Sequence, residues 1–89
     1  MKVYEVKVDW ATEYEQDCQT ALYSTEEKAR KSFNLEKHNA MVDYGFEYDG
    51  SYDTDRYELE EDDNSWEFWE SGYYNTCHCC ITLTEKEVF

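Results

Sequence analysis

Proline is absent from the 89-residue chain and glycine occurs only three times, so few positions can interrupt helices or strands. Basic residues are scarce as well: eight Lys and Arg stand against twenty-two Asp and Glu, which gives a net charge of −14. A surface of this sign repels phosphate groups. The composition therefore excludes direct binding to nucleic acid or to an anionic membrane.

Long apolar runs are also missing, since no stretch approaches the roughly 18 apolar residues of a membrane span. The first five residues, Met1 to Glu5, carry neither the basic nor the apolar region of a secretory signal. Four cysteines without such a signal suit a reducing compartment better than a framework of disulfides. We therefore expect a cytoplasmic protein.

The motifs of common enzyme classes are not found, namely G-x-S-x-G, H-E-x-x-H and a glycine-rich phosphate loop. Carboxylates are so numerous that no pair stands out as a catalytic acid and base. His38 falls on a predicted helix and His78 on a predicted strand, where structural roles are more common. The expectation is a protein that is not an enzyme and uses no cofactor.

Aromatic residues, in contrast, make up 18% of the chain. Disordered segments are poor in these residues, whereas each buried aromatic side chain removes about 150–250 Å² from water. A chain of this length holds one domain at most. The sequence thus predicts a single folded domain with a highly charged exterior.

Two strands are predicted at the start of the chain. Residues 2–10 alternate between apolar and polar side chains, which is typical of a half-buried strand. Residues 11–15 lose this pattern and form a loop. Residues 16–23 return as the second strand, with Cys18, Thr20 and Leu22 on one side.

A helix follows, with Ser24 predicted as its N-cap, because Ser24 and Glu27 match the spacing of a capping box. The helix should end at Tyr44-Gly45, where glycine can adopt the left-handed conformation. Its buried stripe is predicted to contain Ala29, Phe33, Ala40 and Met41, widened by Leu35, His38 and Val42.

Three further strands are predicted after the helix. The first spans residues 55–60, a turn at 61–64 leads to a second around Trp66 and Phe68, and the last spans residues 76–84. The predicted inward residues are Tyr57, Leu59, Trp66, Phe68, Cys77, Cys79, Ile81 and Leu83. The predicted outward residues of the last strand are His78, Cys80, Thr82 and Thr84.

The resulting order is strand, strand, helix, strand, strand, strand. One helix on one face of a mostly antiparallel sheet buries both apolar faces with short connections. The sequence therefore predicts one α+β domain over residues 1–89, with an antiparallel sheet of four to five strands and one helix packed on one face.

The cysteines are candidate metal ligands, because zinc prefers Cys and His. Alternation along a strand, however, turns Cys77 and Cys79 to one side and His78 and Cys80 to the other. Free cysteine is also common in protein cores, and core cysteines are the favoured interpretation. A small metal-binding or redox module that uses Cys18, Cys77, Cys79 and either His78 or Cys80 remains the alternative.

The aspartates between Asp49 and Asp55 do not match a calcium-binding loop. Such a loop places glycine at its sixth position and Glu at its twelfth. Here Gly50 directly follows the first aspartate, and Tyr52 interrupts the ligand positions. No dedicated calcium site is predicted.

The acidic residues concentrate between residues 43 and 73, where twelve acids accompany one base, Arg56. Tyrosines and tryptophans are interleaved with them, and these residues are frequent interface anchors. Acids on one face of a strand recur about every 6.6 Å, which places a line of negative charge beside flat rings. Such a line matches the scale of a nucleic-acid strand. The alternative is a solvated face that only keeps the protein in solution.

The small size, the charge of −14 and the acidic, tyrosine-rich run from Asp43 to Glu70 resemble the small acidic proteins of phages and mobile elements. Among these are anti-CRISPR proteins and DNA-mimic inhibitors of restriction or repair enzymes. The resemblance, which is one of composition and size, implies a non-enzymatic protein that occupies the nucleic-acid site of a host defence protein in the bacterial cytoplasm.

The hypothesis is therefore an inhibitor that binds a basic nucleic-acid-binding protein, such as a CRISPR effector or a restriction or repair enzyme. Homodimerisation is left open. Trp66 is a candidate anchor that shares an inward face with Phe68 and is therefore also a core candidate. The predicted contact residues are Asp49, Tyr52, Asp53, Asp55, Glu58, Glu60, Glu61, Asp62, Asp63, Glu67, Trp69 and Glu70.

Overall fold

The computed structural model describes residues 1–73 and 77–88. One helix and five strands follow each other in the predicted order, so the α+β class is confirmed. The elements are β1 (Lys2–Ala11), β2 (Gln16–Tyr23), α1 (Glu26–Asp43), β3 (Tyr57–Asp62), β4 (Ser65–Glu70) and β5 (His78–Glu87).

The five strands form one antiparallel sheet in the order β2-β1-β5-β4-β3. In the middle of the sheet, β1 pairs with β5 along the whole length of both strands, from Lys2 opposite Glu87 to Ala11 opposite His78. Strand β2 follows on the β1 side of this pair, and the β3–β4 hairpin follows on the β5 side. The acidic strand β3 therefore lies at one edge of the sheet, and β2 lies at the other.

Helix α1 packs on one face of the sheet, against β1, β5 and β2. Its buried side chains Ala29, Phe33 and Ala40 join residues that alternate along the strands. Ala29 and Phe33 are almost fully buried, as are Trp66, Phe68 and Ile81 from the sheet. Burial of such side chains, worth about 1.5–3 kcal/mol for each large one, holds the helix on the sheet.

The segment of residues 44–56, called the covering loop below, shields the part of the sheet beyond the helix. Three of its aromatic rings surround Phe68 of β4, with centroid distances of 4.8 Å to Tyr44, 4.9 Å to Phe46 and 5.3 Å to Tyr52. Aromatic pairs at these distances add stability beyond the burial of their area. The loop thus completes the core over β4 and β3, although it contains no helix or strand.

The helix begins one residue later than predicted. Thr25, not Ser24, is the N-cap: its backbone is extended, and its side-chain oxygen accepts a hydrogen bond from the Lys28 amide at 3.3 Å. The predicted end is confirmed, since Tyr44 caps the helix and Gly45 follows with a φ of 76°. Glycine adopts this left-handed conformation without steric cost.

Several strand boundaries also differ from the prediction, and β1 continues one residue further, to Ala11. The β3 strand starts at Tyr57 and not at residue 55, because the Asp53 carbonyl accepts hydrogen bonds from the amides of Arg56 and Tyr57 and so forms a turn. The predicted turn at 61–64 is shorter, since Asp62 still pairs with Ser65.

The last strand runs from His78 to Glu87, further than the predicted end at residue 84. Its predicted start at residue 76 lies outside the described residues. Cys77 was predicted to point inward on this strand, but it precedes the strand and is half-buried. The other predicted inward residues are confirmed as buried or packed against the core: Tyr57, Leu59, Trp66, Phe68, Cys79, Ile81 and Leu83.

The predicted widening of the helix stripe is wrong. Leu35 is 59% exposed, Val42 is 62% exposed, and His38 is exposed too. The flat sheet contacts only one side of α1, so residues outside the stripe from Ala29 to Met41 remain in solvent.

Candidate protein-interaction surface

The helix and the covering loop lie on the same face of the sheet, because both pack against the residues that alternate inward. Along a strand, every second side chain points to the opposite face. Within residues 1–73 and 77–88, no element covers this opposite face, which we call the open face. Antiparallel sheets commonly leave one face to solvent in this way.

The half of the open face formed by β3 and β4 is acidic. Glu58, Glu60 and Asp62 alternate along β3, and their spacing is about 6.6 Å from one to the next. Glu67 and Trp69 alternate on the neighbouring strand β4. These five residues are called the acidic patch below. Asp62, at the end of β3, also accepts a hydrogen bond from the Asn64 amide at 2.8 Å.

Register places two glutamates of the acidic patch on opposite positions of neighbouring strands. Glu60 lies opposite Glu67, and the Cβ atoms of opposite residues are about 4.5–5.5 Å apart. The same row continues to Cys80 on β5 and then to Asp9 on β1. Burial raises the pKa of the Cys80 thiol to about 11, and the charge of Glu67 adds to this effect.

Asp9 is a residue of this surface that the sequence reasoning missed. It points to the open face from β1, with its carboxylate 3.7 Å from Nε2 of His78. The polar face of strand 2–10 already contained Asp9. Only the pairing of β1 with β5, which is not visible in a local pattern, places it in one row with Glu67.

Trp69 is the aromatic member of the acidic patch. It lies opposite Glu58, and its indole Nε1 donates a hydrogen bond of 2.9 Å to the Glu58 carboxylate. This bond fixes both side chains on the open face, where Trp69 is half-buried. Trp66, in contrast, is 1% exposed and belongs to the core, so its role as a surface anchor is excluded.

No lysine or arginine occurs between residues 57 and 70, which include seven acids. Arg30 and Arg56 reach this hairpin from outside. Arg30 of α1 donates to the Asp63 carbonyl and, at 2.6 Å, to Oδ1 of Asn64. Arg56 lies 3.3 Å from a Glu70 oxygen and over the ring of Tyr57. Neither contact involves a residue of the acidic patch.

Four of the predicted contact residues lie in the covering loop instead. Asp49 accepts a hydrogen bond from the Ser51 amide, and its bonds with Ser51 lower its pKa. Asp53 accepts from the Asp55 amide at 3.0 Å. Tyr52 stacks on Phe46 of the core at 5.1 Å. Asp53 and Asp55 are therefore not part of a line of acids along a strand, because β3 begins only at Tyr57.

The remaining predicted residues do not face the acidic patch. Glu61 and Glu70 lie at the positions of β3 and β4 that alternate with it, and Asp63 lies in the turn between the two strands. The predicted contact residues thus lie in several places: on the acidic patch, in the covering loop, in the β3–β4 turn and on the other face of the sheet.

The cysteines are dispersed. Cys79 is buried in the core, Cys77 is half-buried, and Cys18 is exposed on β2. Burial raises the pKa of Cys77 and raises that of Cys79 to about 12. Among the described residues, no three Cys, His, Asp or Glu side chains converge in a way that would hold a metal ion.

No family model, curated protein or solved structure matches this chain. In the described part of the chain, no helix has the length and apolar character to cross a membrane.

Proposed function

We propose that this protein is a non-enzymatic inhibitor whose acidic patch binds the nucleic-acid site of a basic protein. One observation carries the proposal: four carboxylates and a tryptophan share an uncovered half of the sheet, on two strands that contain no base. Charge of one sign destabilises the folded state through self-repulsion, and a contact with a basic partner would offset this cost.

Glu60 and Glu67 lie directly opposite each other on the open face, and like charges in such a position repel. A guanidinium placed between them would bond to both carboxylates and relieve this repulsion on binding. The regular spacing along β3 offers further carboxylates to a row of Lys and Arg side chains. Trp69 provides a ring that can stack on arginine or fill the position of a base.

A basic nucleic-acid-binding protein is the partner that fits this chemistry, because its groove is built to accept a line of negative charge. A CRISPR effector or a restriction or repair enzyme is the class that the resemblance to small phage proteins suggests. Inhibition would follow from occupation of the groove alone, without any reaction.

The test is a competition experiment. The protein is titrated into complexes of labelled DNA with purified CRISPR effectors and restriction enzymes, and displacement of the DNA is followed by fluorescence anisotropy. A target should release its DNA, and added salt should weaken the inhibitor. A complete panel of these enzymes in which none releases DNA contradicts the proposal.

A matched pair of variants separates position from total charge. Glu60→Gln with Glu67→Gln removes two charges from the acidic patch, whereas Glu13→Gln with Glu15→Gln removes two from the exposed β1–β2 turn. Loss of one partner of a desolvated pair costs about 2–5 kcal/mol, whereas rim charges mainly change the association rate. The first variant should lose affinity by more than about tenfold. Equal losses in both would show that only long-range attraction acts.

A further inference from the structure

The edge of the sheet opposite the acidic patch is formed by β2. It pairs with β1 on one side, and no described strand lies beyond it. The Cys18 amide points out of this edge, since it donates to the Asp17 carboxylate at 2.7 Å. Antiparallel pairing alternates amides that face the neighbouring strand with amides that face away, so Gln16, Thr20 and Leu22 share the direction of Cys18. This edge therefore presents a row of backbone donors and acceptors, of which the Cys18 amide is bonded to Asp17 in the single chain.

The two edges of the sheet differ in protection. Natural edge strands avoid pairing with other chains by means of charged residues, proline, bulges or short length. The six-residue strand β3 has four acids, Glu58, Glu60, Glu61 and Asp62, which repel another strand. The eight-residue strand β2 has one charge, Asp17, and no proline. Only β3 is thus guarded by charge.

The charge distribution favours contact at the β2 edge. Residues 16–42, which form β2 and most of α1, contain four acids and four bases, so their net charge is zero. Residues 43–73 contain twelve acids and one base, for a net charge of −11. Two copies of the chain repel each other least when their neutral edges meet and their β3 edges point apart.

Two exposed apolar residues of α1 lie on the same side as β2. Ser32 faces β2, because it accepts a hydrogen bond from Tyr23 at 2.8 Å, and Asn39 lines a groove together with Gln19 of β2. Leu35 lies one turn from each of them, at i+3 and i−4, and Val42 lies at i+3 from Asn39. Leu35 and Val42 are 59% and 62% exposed.

From these observations we infer that β2 is a dimer interface, at which the β2 strands of two copies pair antiparallel and join the two sheets into one. The twofold axis of such a pair is perpendicular to the sheet, so both α1 helices lie on the same face beside the junction. Leu35 and Val42 of each copy then lie toward the other copy. The two acidic patches lie at the far ends of the joined sheet.

The test is the mass of the wild-type protein over a range of concentrations, measured by sedimentation equilibrium. The wild type should reach twice the mass of the chain, and added salt should strengthen the dimer by screening its net charge. Thr20→Pro removes an amide that points away from β1, so the monomer should retain its fold while the dimer dissociation constant rises at least about tenfold.

Leu35→Gln with Val42→Gln should weaken the dimer as well, without change in the folded monomer, since both side chains are exposed. The control is Tyr48→Gln, which removes an exposed aromatic side chain from the covering loop, away from the β2 edge, and should leave the dimer intact. A wild type that stays monomeric at all concentrations overturns the inference. A dimer that neither Thr20→Pro nor the helix variant weakens also overturns it, because its interface lies elsewhere.

The inference does not depend on the proposed function. Dimerisation is measured without a target, and the variants of β2 and α1 leave the acidic patch unchanged. A dimer without an inhibited enzyme, or an inhibitor that is monomeric, would each contradict one of the two proposals and not the other.

Discussion

Glu60 and Glu67 lie directly opposite each other on β3 and β4, so that the sheet pairs two carboxylates across neighbouring strands. Like charges directly opposite each other destabilise a sheet. The cost is similar in size to the gain from a favourable pair, which is about 0.2–1 kcal/mol. Stability alone therefore does not explain why two glutamates lie opposite each other here. Under the proposed function, a cation of the partner would bond to both carboxylates.

Removal of this repulsion should stabilise the free protein. Glu60→Gln leaves the shape of the side chain and removes one charge, so we expect the free energy of unfolding in urea to rise by about 0.5 kcal/mol at low salt. Because salt screens the pair, the gain should shrink as ionic strength increases. Glu13→Gln, in the exposed turn, is the control and should change stability less. A Glu60→Gln protein less stable than wild type would show that Glu60 makes a stabilising contact.

The two tryptophans of β4, Trp66 and Trp69, should respond differently to substitution. Trp66→Ala empties a core position and should cost about 3–5 kcal/mol of stability, enough to unfold much of a small domain. Trp69→Phe keeps an aromatic ring on the open face and loses the hydrogen bond to Glu58, a cost of about 1 kcal/mol. Urea denaturation followed by circular dichroism separates the two. Equal losses would contradict the assignment of Trp66 to the core and Trp69 to the open face.

The four cysteines should differ in reactivity. At mildly alkaline pH, a thiol reagent should modify the exposed Cys18 rapidly and Cys79 and Cys80 slowly, because the latter two are shielded and have raised pKa values. All four should react after denaturation. Mass spectrometry of the digested protein locates the modified residues. Modification of Cys80 as fast as that of Cys18 would be inconsistent with the packing of Cys80 beside Glu67.

Because of the Cys79 and Cys80 thiols, we expect the protein to lose stability in alkali. Their folded pKa values lie above the ordinary value of 9.0, at about 11 for Cys80 and about 12 for Cys79. Below pH 9.0 the two protonated thiols make their full contribution to the free energy of unfolding. This contribution is lost as the pH rises toward the folded pKa values, because the unfolded chain releases these protons first. Cys80→Ser should reduce this loss, measured as the free energy of unfolding across that range. An unchanged pH dependence would contradict the assignment.

The local patterns of the sequence were sufficient for the order of the elements. Alternation over residues 2–10 and 16–23 and the Tyr44-Gly45 helix end identify elements that the structure contains. They could not predict that β1 pairs with β5, because such a pairing joins residues far apart in the chain. They also could not show that the covering loop packs on Phe68, since that contact depends on aromatic residues without a regular spacing.

The acidic residues show the same limit. Composition correctly located most of the negative charge between residues 43 and 73, but it treated Asp53 and Glu58 alike. The structure separates them, because Asp53 bonds to a turn amide and Glu58 lies on a strand of the open face. Whether a carboxylate bonds to a backbone amide or faces solvent depends on the backbone geometry around it. The composition of the chain does not reveal this geometry.

Acid titration should identify the carboxylates that serve the backbone. Hydrogen bonds lower the pKa of Asp49, mainly through Ser51, and that of Asp62, mainly through the Asn64 amide, below the ordinary value of 3.8. Their contribution to stability is present above pH 3.8 and is lost as the pH falls through the folded pKa values, because the unfolded chain takes up these protons first. Asn at both positions keeps an acceptor oxygen but does not titrate. The pH is lowered from about 5 to about 2, the range in which carboxylates titrate. Over this range, the protein with Asp49→Asn and Asp62→Asn should lose less free energy of unfolding than wild type. Glu13→Gln with Glu15→Gln is the control, and its acid dependence should stay closer to that of wild type. If the control pair flattens the acid dependence as much as the Asn pair, the hydrogen bonds of Asp49 and Asp62 do not set it, and general charge repulsion does.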